Sequence, residues 1–226
     1  MGQITLDIRK ILFENQNIWT DKSVPDNEYP HTNLREQDVL WALGSRKKVF
    51  WVEVGTMLGG SALLAAKTAK KHGVEIDMIC IDPFTGDVNM WEWEKNLKQQ
   101  GKWSFLGLEN GFPTIRQRFL ANVLEAGMQD IITPIQATGI VGLKLLKRLY
   151  DKKIFNYRPD IIYVDSAHEQ DETFLELKTS WDLLSDNGLI MGDDLNWPAV
   201  KNDVYKFADF STRKVQVFQN QWAIIK

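Results

Sequence analysis

The sequence holds a single cysteine, Cys80. That excludes an internal disulfide and a multi-cysteine metal cluster. Cys80 lies within the apolar run MICI, where a thiol serves as a small core side chain. Neither sign of charge dominates: 27 Lys and Arg stand against 30 Asp and Glu, for a net charge of −3. The balance carries no nucleic-acid footprint. The nearest thing to a basic run, KTAKKH at 67–72, reads as a solvated helix end, where lysines complement the dipole. No apolar run approaches the length needed to span a bilayer. MGQITLDIRK has no signal-peptide core, and Leu6 stands where a myristoylation signal wants Ser or Thr. The expectation is a soluble cytoplasmic protein with no nucleic-acid or membrane partner. Internal repeats, low-complexity tracts and a splitting linker are missing too, and 226 residues suffice for one large α/β domain.

What is present, from residue 47 onward, is an alternation of strand-like and helix-like segments. KKVFWVEVGT is a strand, followed by the helix SALLAAKTAKKHG with Ser61 as its expected N-cap and Gly73 past its end. EIDMICIDP is the second strand. FPTIRQRFLANVLEAGM is helical, DIITPIQA a third strand, IVGLKLLKRLY a helix and PDIIYVDSAH a fourth strand. TFLELKTSWDLLSDNG sets Phe174, Leu177, Trp181 and Leu184 on one helical face. GLIMGDDL is the fifth strand and PAVKNDVYKFADF a further helix. KVQVFQNQWAIIK reads as a hairpin around Gln219-Asn220-Gln221. Near-continuous apolar strands separated by helices mean a parallel sheet covered on both faces. Right-handed crossovers then bring Gly55, Asp82, Ala137, Asp165 and Asp193 to one rim, where open α/β sheets bind ligands.

Two segments fall outside the alternation. Residues 1–46 form an N-terminal cap segment, with a short amphipathic helix and a polar loop containing Pro25 and Pro30. Residues 84–111 are an insertion carrying Phe84, Trp91, Trp93, Trp103 and Phe105. These aromatics serve either as core packing or as a wall over the donor and an apolar platform for an acceptor.

EVGTMLGGS, residues 53–61, is a strand–glycine-loop–helix junction. Gly55 permits a tight turn and close approach of a ligand, and Gly59 and Gly60 do the same where free helix N–H groups favour polar or anionic groups. Asp82 ends the next strand, where a carboxylate can accept both hydroxyls of a ribose. In MGDDLNW, the adjacent carboxylates of Asp193 and Asp194 repel and call for water, a basic partner or a cation. Helix capping is the simpler role for them, and Asn196 fits that role best.

The E-x-G-x-x-x-G junction followed by Asp82 resembles motif I and the ribose-binding acid of class I S-adenosylmethionine-dependent methyltransferases. The resemblance covers residues 47–226. It implies a Rossmann-like α/β fold with a mostly parallel seven-stranded sheet, an antiparallel last strand and helices on both faces. It also implies a donor site across Glu53, Gly55, Thr56, Met57, Gly59, Gly60, Ser61, Asp82, Pro83, Ala137 and Asp165. At the third strand the pattern departs, because Gln136-Ala137-Thr138 stands where many members have an acid near the adenine. VDSAH together with GDD resembles the metal-dependent O-methyltransferases of antibiotic, sugar and catechol hydroxyls. This implies a divalent cation, Mg²⁺ by the hardness of its oxygen ligands, on Asp165, Asp193 and Asp194. His168 resembles the general base of some sugar-directed members, and its titration range suits that work. Asp165 and His168 are the expected catalytic residues, and the expected partner is a small hydroxylated acceptor.

Other readings stay open. One is a metal-independent methyltransferase acting on nitrogen, carbon or carboxylate. Another is an inactive nucleoside-binding module. A nicotinamide-dependent oxidoreductase fits the glycine spacing and the terminal hairpin less well. The sequence leaves a homo-oligomer open and does not name the acceptor.

Overall fold

A computed structural model describes residues 2–19, 32–99, 104–166 and 168–226. Pro25, Pro30, His31 and Trp103 lie outside these residues. Seven strands form one sheet: β1 (Lys48–Val54), β2 (Glu75–Asp82), β3 (Ile132–Gln136), β4 (Ile161–Val164), β5 (Leu189–Gly192), β6 (Gln216–Phe218) and β7 (Gln221–Ile225). Their order is β3-β2-β1-β4-β5-β7-β6. The first five are parallel, and β7 runs antiparallel to both β5 and β6. This is the Rossmann-like α/β arrangement expected. β3 lies at the sheet edge, where Pro134 costs the ladder least.

Eight helices occur among the described residues: α1 (Gln3–Phe13), α2 (Glu36–Leu43), α3 (Gly60–Lys71), α4 (Val88–Gln99), α5 (Ile115–Glu125), α6 (Gly139–Asp151), α7 (Glu172–Leu183) and α8 (Pro198–Ser211). Successive strand residues divide between two cores, as a period of two requires. Trp51, Met78, Cys80 and Tyr163 pack with α2, α3 and α5. Val52, Ile79, Ile81 and Trp222 pack with α1, α6, α7 and α8 on the opposite face. Both faces are therefore covered, which is why the strands read as continuous apolar runs.

Three features differ from the sequence reading. The N-cap of α3 is Gly59, in the left-handed region, and Ser61 lies one residue inside the helix. Within the 84–111 insertion the chain forms α4, and α2 precedes the first strand. α1 is docked onto the sheet: buried Arg9 donates to the carbonyls of Gln129 and Ile132, and Asp77 accepts from the Thr5 hydroxyl. None of the described helices is long and apolar enough to cross a membrane.

Candidate active site

The rim at the parallel strands' C-terminal ends opens onto a cavity of about 450 Å³. Gly55, just past β1, makes the rim possible. Its φ is +83°, and a Cβ there would stand 2.0 Å from the carbonyl oxygen of Asp165. The obstacle is backbone on the neighbouring strand end, so it cannot swing aside. Gly55→Ala is expected to cost at least about 1–3 kcal/mol from backbone strain alone. Urea unfolding that finds wild-type stability in this variant would refute the close approach.

The cavity wall begins with Gly55, Thr56, Met57, Leu58 and Ser61, and continues through Asp82 and Pro83. The Asp82 carboxylate accepts from the backbone N–H of Met57 at 2.8 Å and of Phe84 at 2.5 Å. Burial raises its pKa, and these backbone donors hold it down in part. Glu53 lies behind the wall, fully buried, accepting at 2.9 Å from the Ser61 hydroxyl. Burial pushes its pKa up to about 7. Gly59 and Gly60, at the start of α3, do not line the cavity, and neither does Ala137, whose N–H donates to the Asp82 carbonyl at 3.1 Å.

Opposite this wall, Asp165, His168 and Asp194 each offer one ligand atom, all within 4.8 Å of one another. His168 lies between two carboxylates: Nε2 is 2.8 Å from Asp194 Oδ2 and Nδ1 is 3.0 Å from Asp87 Oδ2. Burial alone would lower its pKa, but Asp194 and Asp87 override that and raise it to about 10. The Asp165 carboxyl is driven well above its usual range by desolvation and then by the charges of Asp193, Asp194 and Glu53. An acid crowded by acids fits a cation, and a donor set of two carboxylates and one imidazole suits a divalent ion such as Mn²⁺ or Mg²⁺.

Asp193 is not in this group. Its Oδ1 accepts from the N–H of Asp194 at 2.7 Å, and Asn33 and Gln221 also bond to its side chain. Asp194 takes a left-handed backbone with φ 61°, and Asp193, though outside the group, still acts on Asp165 as its strongest charged neighbour. Neither Asp193 nor Asp194 caps the helix that follows. The N-cap of α8 is Trp197, with no side-chain cap bond.

The aromatics of the insertion divide between the core and the cavity wall. Phe84 is core, 5.4 Å from the Phe119 ring. Trp93 and Phe105 line the cavity, 5.9 Å apart, while Trp91 is half exposed and donates its indole N–H to the Thr85 carbonyl. The sequence reading missed Asp87 and Trp197, both of which line the cavity. Trp197 packs its ring 4.8 Å from that of His168. Asp87 carried one signal, an acid in the Thr85-Gly86-Asp87 turn just beyond a rim residue.

A family model described as a methyltransferase domain matches residues 52–195. No curated protein sequence matches the chain. Among solved structures, an O-methyltransferase from Bacillus cereus in complex with SAH is similar at 11% identity, over 100% of this chain and 92% of that one, with a TM-score of 0.52. The SAH-bound Podospora anserina methyltransferase PaMTH1 is similar at 15% identity, over 99% and 88%, with a TM-score of 0.57. The O-methyltransferase NovP is similar at 15% identity, over 84% and 77%, with a TM-score of 0.55.

Proposed function

Since the chain belongs to the methyltransferase-domain family, we propose that it moves a methyl group from S-adenosylmethionine to a hydroxyl of a small molecule, assisted by a divalent cation. The observation that carries this reading is the Asp165, His168 and Asp194 cluster facing the Gly55–Ser61 loop and Asp82 across one cavity. Asp82, steadied by two backbone N–H groups, accepts the donor's ribose hydroxyls. The 55–61 loop receives the rest of the donor, and the Met57, Met90 and Trp93 walls keep water from the sulfonium.

Asp165 and Asp194 are the carboxylates that would hold the cation, with His168 beside them. Bound there, it would lower the acceptor hydroxyl's pKa and orient its oxygen. His168 has a different task. Asp87 fixes its Nδ1 side, leaving Nε2 directed at Asp194. With its pKa at about 10 the imidazole is protonated and cannot accept a proton. It becomes a base only when the Asp194 charge is engaged by other positive charge.

The same proton on His168 favours a second reading, a metal-independent methyltransferase in which the imidazolium itself offsets Asp194. Chelation separates the two. Hydroxylated metabolites incubated with labelled donor are expected to be methylated by the cation-loaded enzyme. Chelator should abolish turnover and added Mn²⁺ or Mg²⁺ should restore it, while S-adenosylhomocysteine still binds by calorimetry. Full turnover in a metal-free preparation would exclude the cation and leave the metal-independent reading.

A further inference from the structure

We infer that Glu176, which lines no part of the cavity, is a positioning residue that sets the direction in which the chain leaves β4 and so the aim of Asp165 and His168. The inference takes from the proposed function only that those two side chains act in the cavity. Glu176 is on the buried face of α7, 5% exposed, between Thr173, Leu177 and Ser180. A carboxyl at such a position costs stability that a leucine would not. No Lys or Arg among the described residues pairs with it.

What it does touch lies at the rim. Its Oε2 accepts the hydroxyl of Ser166 at 2.5 Å. Its other oxygen abuts Gly139, the first residue of α6, where a Cβ would come within 1.9 Å of it. One carboxyl thus bonds to the residue just past β4 and packs against the start of α6, the helix that follows Ala137 and Thr138. The positive end of that helix favours an acceptor group at this place. Ser166 directly follows Asp165, stands two residues before His168, and lines the cavity. Glu176 thus holds the Ser166 hydroxyl, while Asp165 and His168, on either side of Ser166 in sequence, line the cavity. Burial pushes the Glu176 pKa up to about 7, so glutamine is a fair mimic of its protonated form.

The chain has three histidines, so the ring N–H signals of His168 can be assigned in ¹⁵N-labelled full-length protein without any methyl acceptor. In wild type these report the hydrogen bonds to Asp87 and Asp194. Glu176→Leu and Ser166→Ala are each expected to shift or broaden those signals, and Glu176→Gln to restore the wild-type pattern. Folded Glu176→Leu and Ser166→Ala proteins with wild-type His168 signals would overturn the inference, even if their melting temperatures moved. Should the leucine variant fail to fold, Ser166→Ala decides alone, since it removes the tie and leaves α7 intact. A failure to find any methyl acceptor would count against the proposed function and not against this result.

Discussion

Alanine at Asp194 is expected to abolish methyl transfer while leaving donor binding intact. The substitution removes a carboxylate proposed to hold the cation and, with it, the Nε2 partner of His168. Asp165→Ala should behave likewise. His168→Ala should lower the rate by about 10²–10⁴, the scale of a lost general base. The donor half is separate: Asp82 is held by the N–H groups of Met57 and Phe84, neither of which involves the acidic cluster. Single-turnover assays with labelled donor, beside calorimetry with S-adenosylhomocysteine, check both halves. A folded Asp194→Ala enzyme turning over near the wild-type rate would remove Asp194 from the chemistry. Loss of donor affinity in the same variant would show that the two halves are coupled.

The second large effect is on stability. Burial raises the Glu53 and Glu176 carboxyls from an ordinary 4.5 to about 7 in the folded protein. Between those values the native state holds protons that the unfolded chain has released. Stability is therefore greatest below about pH 4.5, as far as these two groups go, and falls as pH rises through about 7. Each carboxyl forfeits about 3 kcal/mol across that window. Glutamine at 53 or 176 keeps the hydrogen-bond acceptor and removes the ionisation. Each variant should therefore gain on wild type as pH rises from 4.5 to 7. Urea unfolding across the window measures the difference, and parallel curves for wild type and variants would mean that the carboxyls ionise without penalty.

The rim was legible because its signals are local. A strand ending in Gly55, and others ending in Asp82, Asp165 and Asp193, can be read from apolar runs that stop at a glycine or an acid. Right-handed crossovers then bring those ends together. The arrangement inside the rim was not legible. Of the two adjacent aspartates Asp194, with its left-handed backbone, lines the cavity and Asp193 does not, and nothing in the pair's chemistry announces that. Asp87 is paired with His168 across 81 positions, a separation that no local pattern encodes. α4 escaped notice because Trp91 and Trp93 are exposed while Glu94 is buried, so residue polarity does not mark its inner and outer faces as in an amphipathic segment. Glu176 reads in sequence as one more polar residue of α7, and only its burial singles it out.

The indole N–H of Trp222, buried in β7, donates to the carbonyl of Asp193 at 2.9 Å. The Trp222 ring also occupies the space that a side chain at Gly192 would need. Of the seven strands, β7 is the last to be synthesised. The five parallel strands can pair while the chain is still growing, but the backbone that leads into Asp194 gains this anchor only after residue 222 has been added. A nascent chain stalled before that point would carry the Gly55 loop and Asp82 with an unfinished acidic side. Donor binding is therefore expected to be acquired during synthesis ahead of catalytic competence.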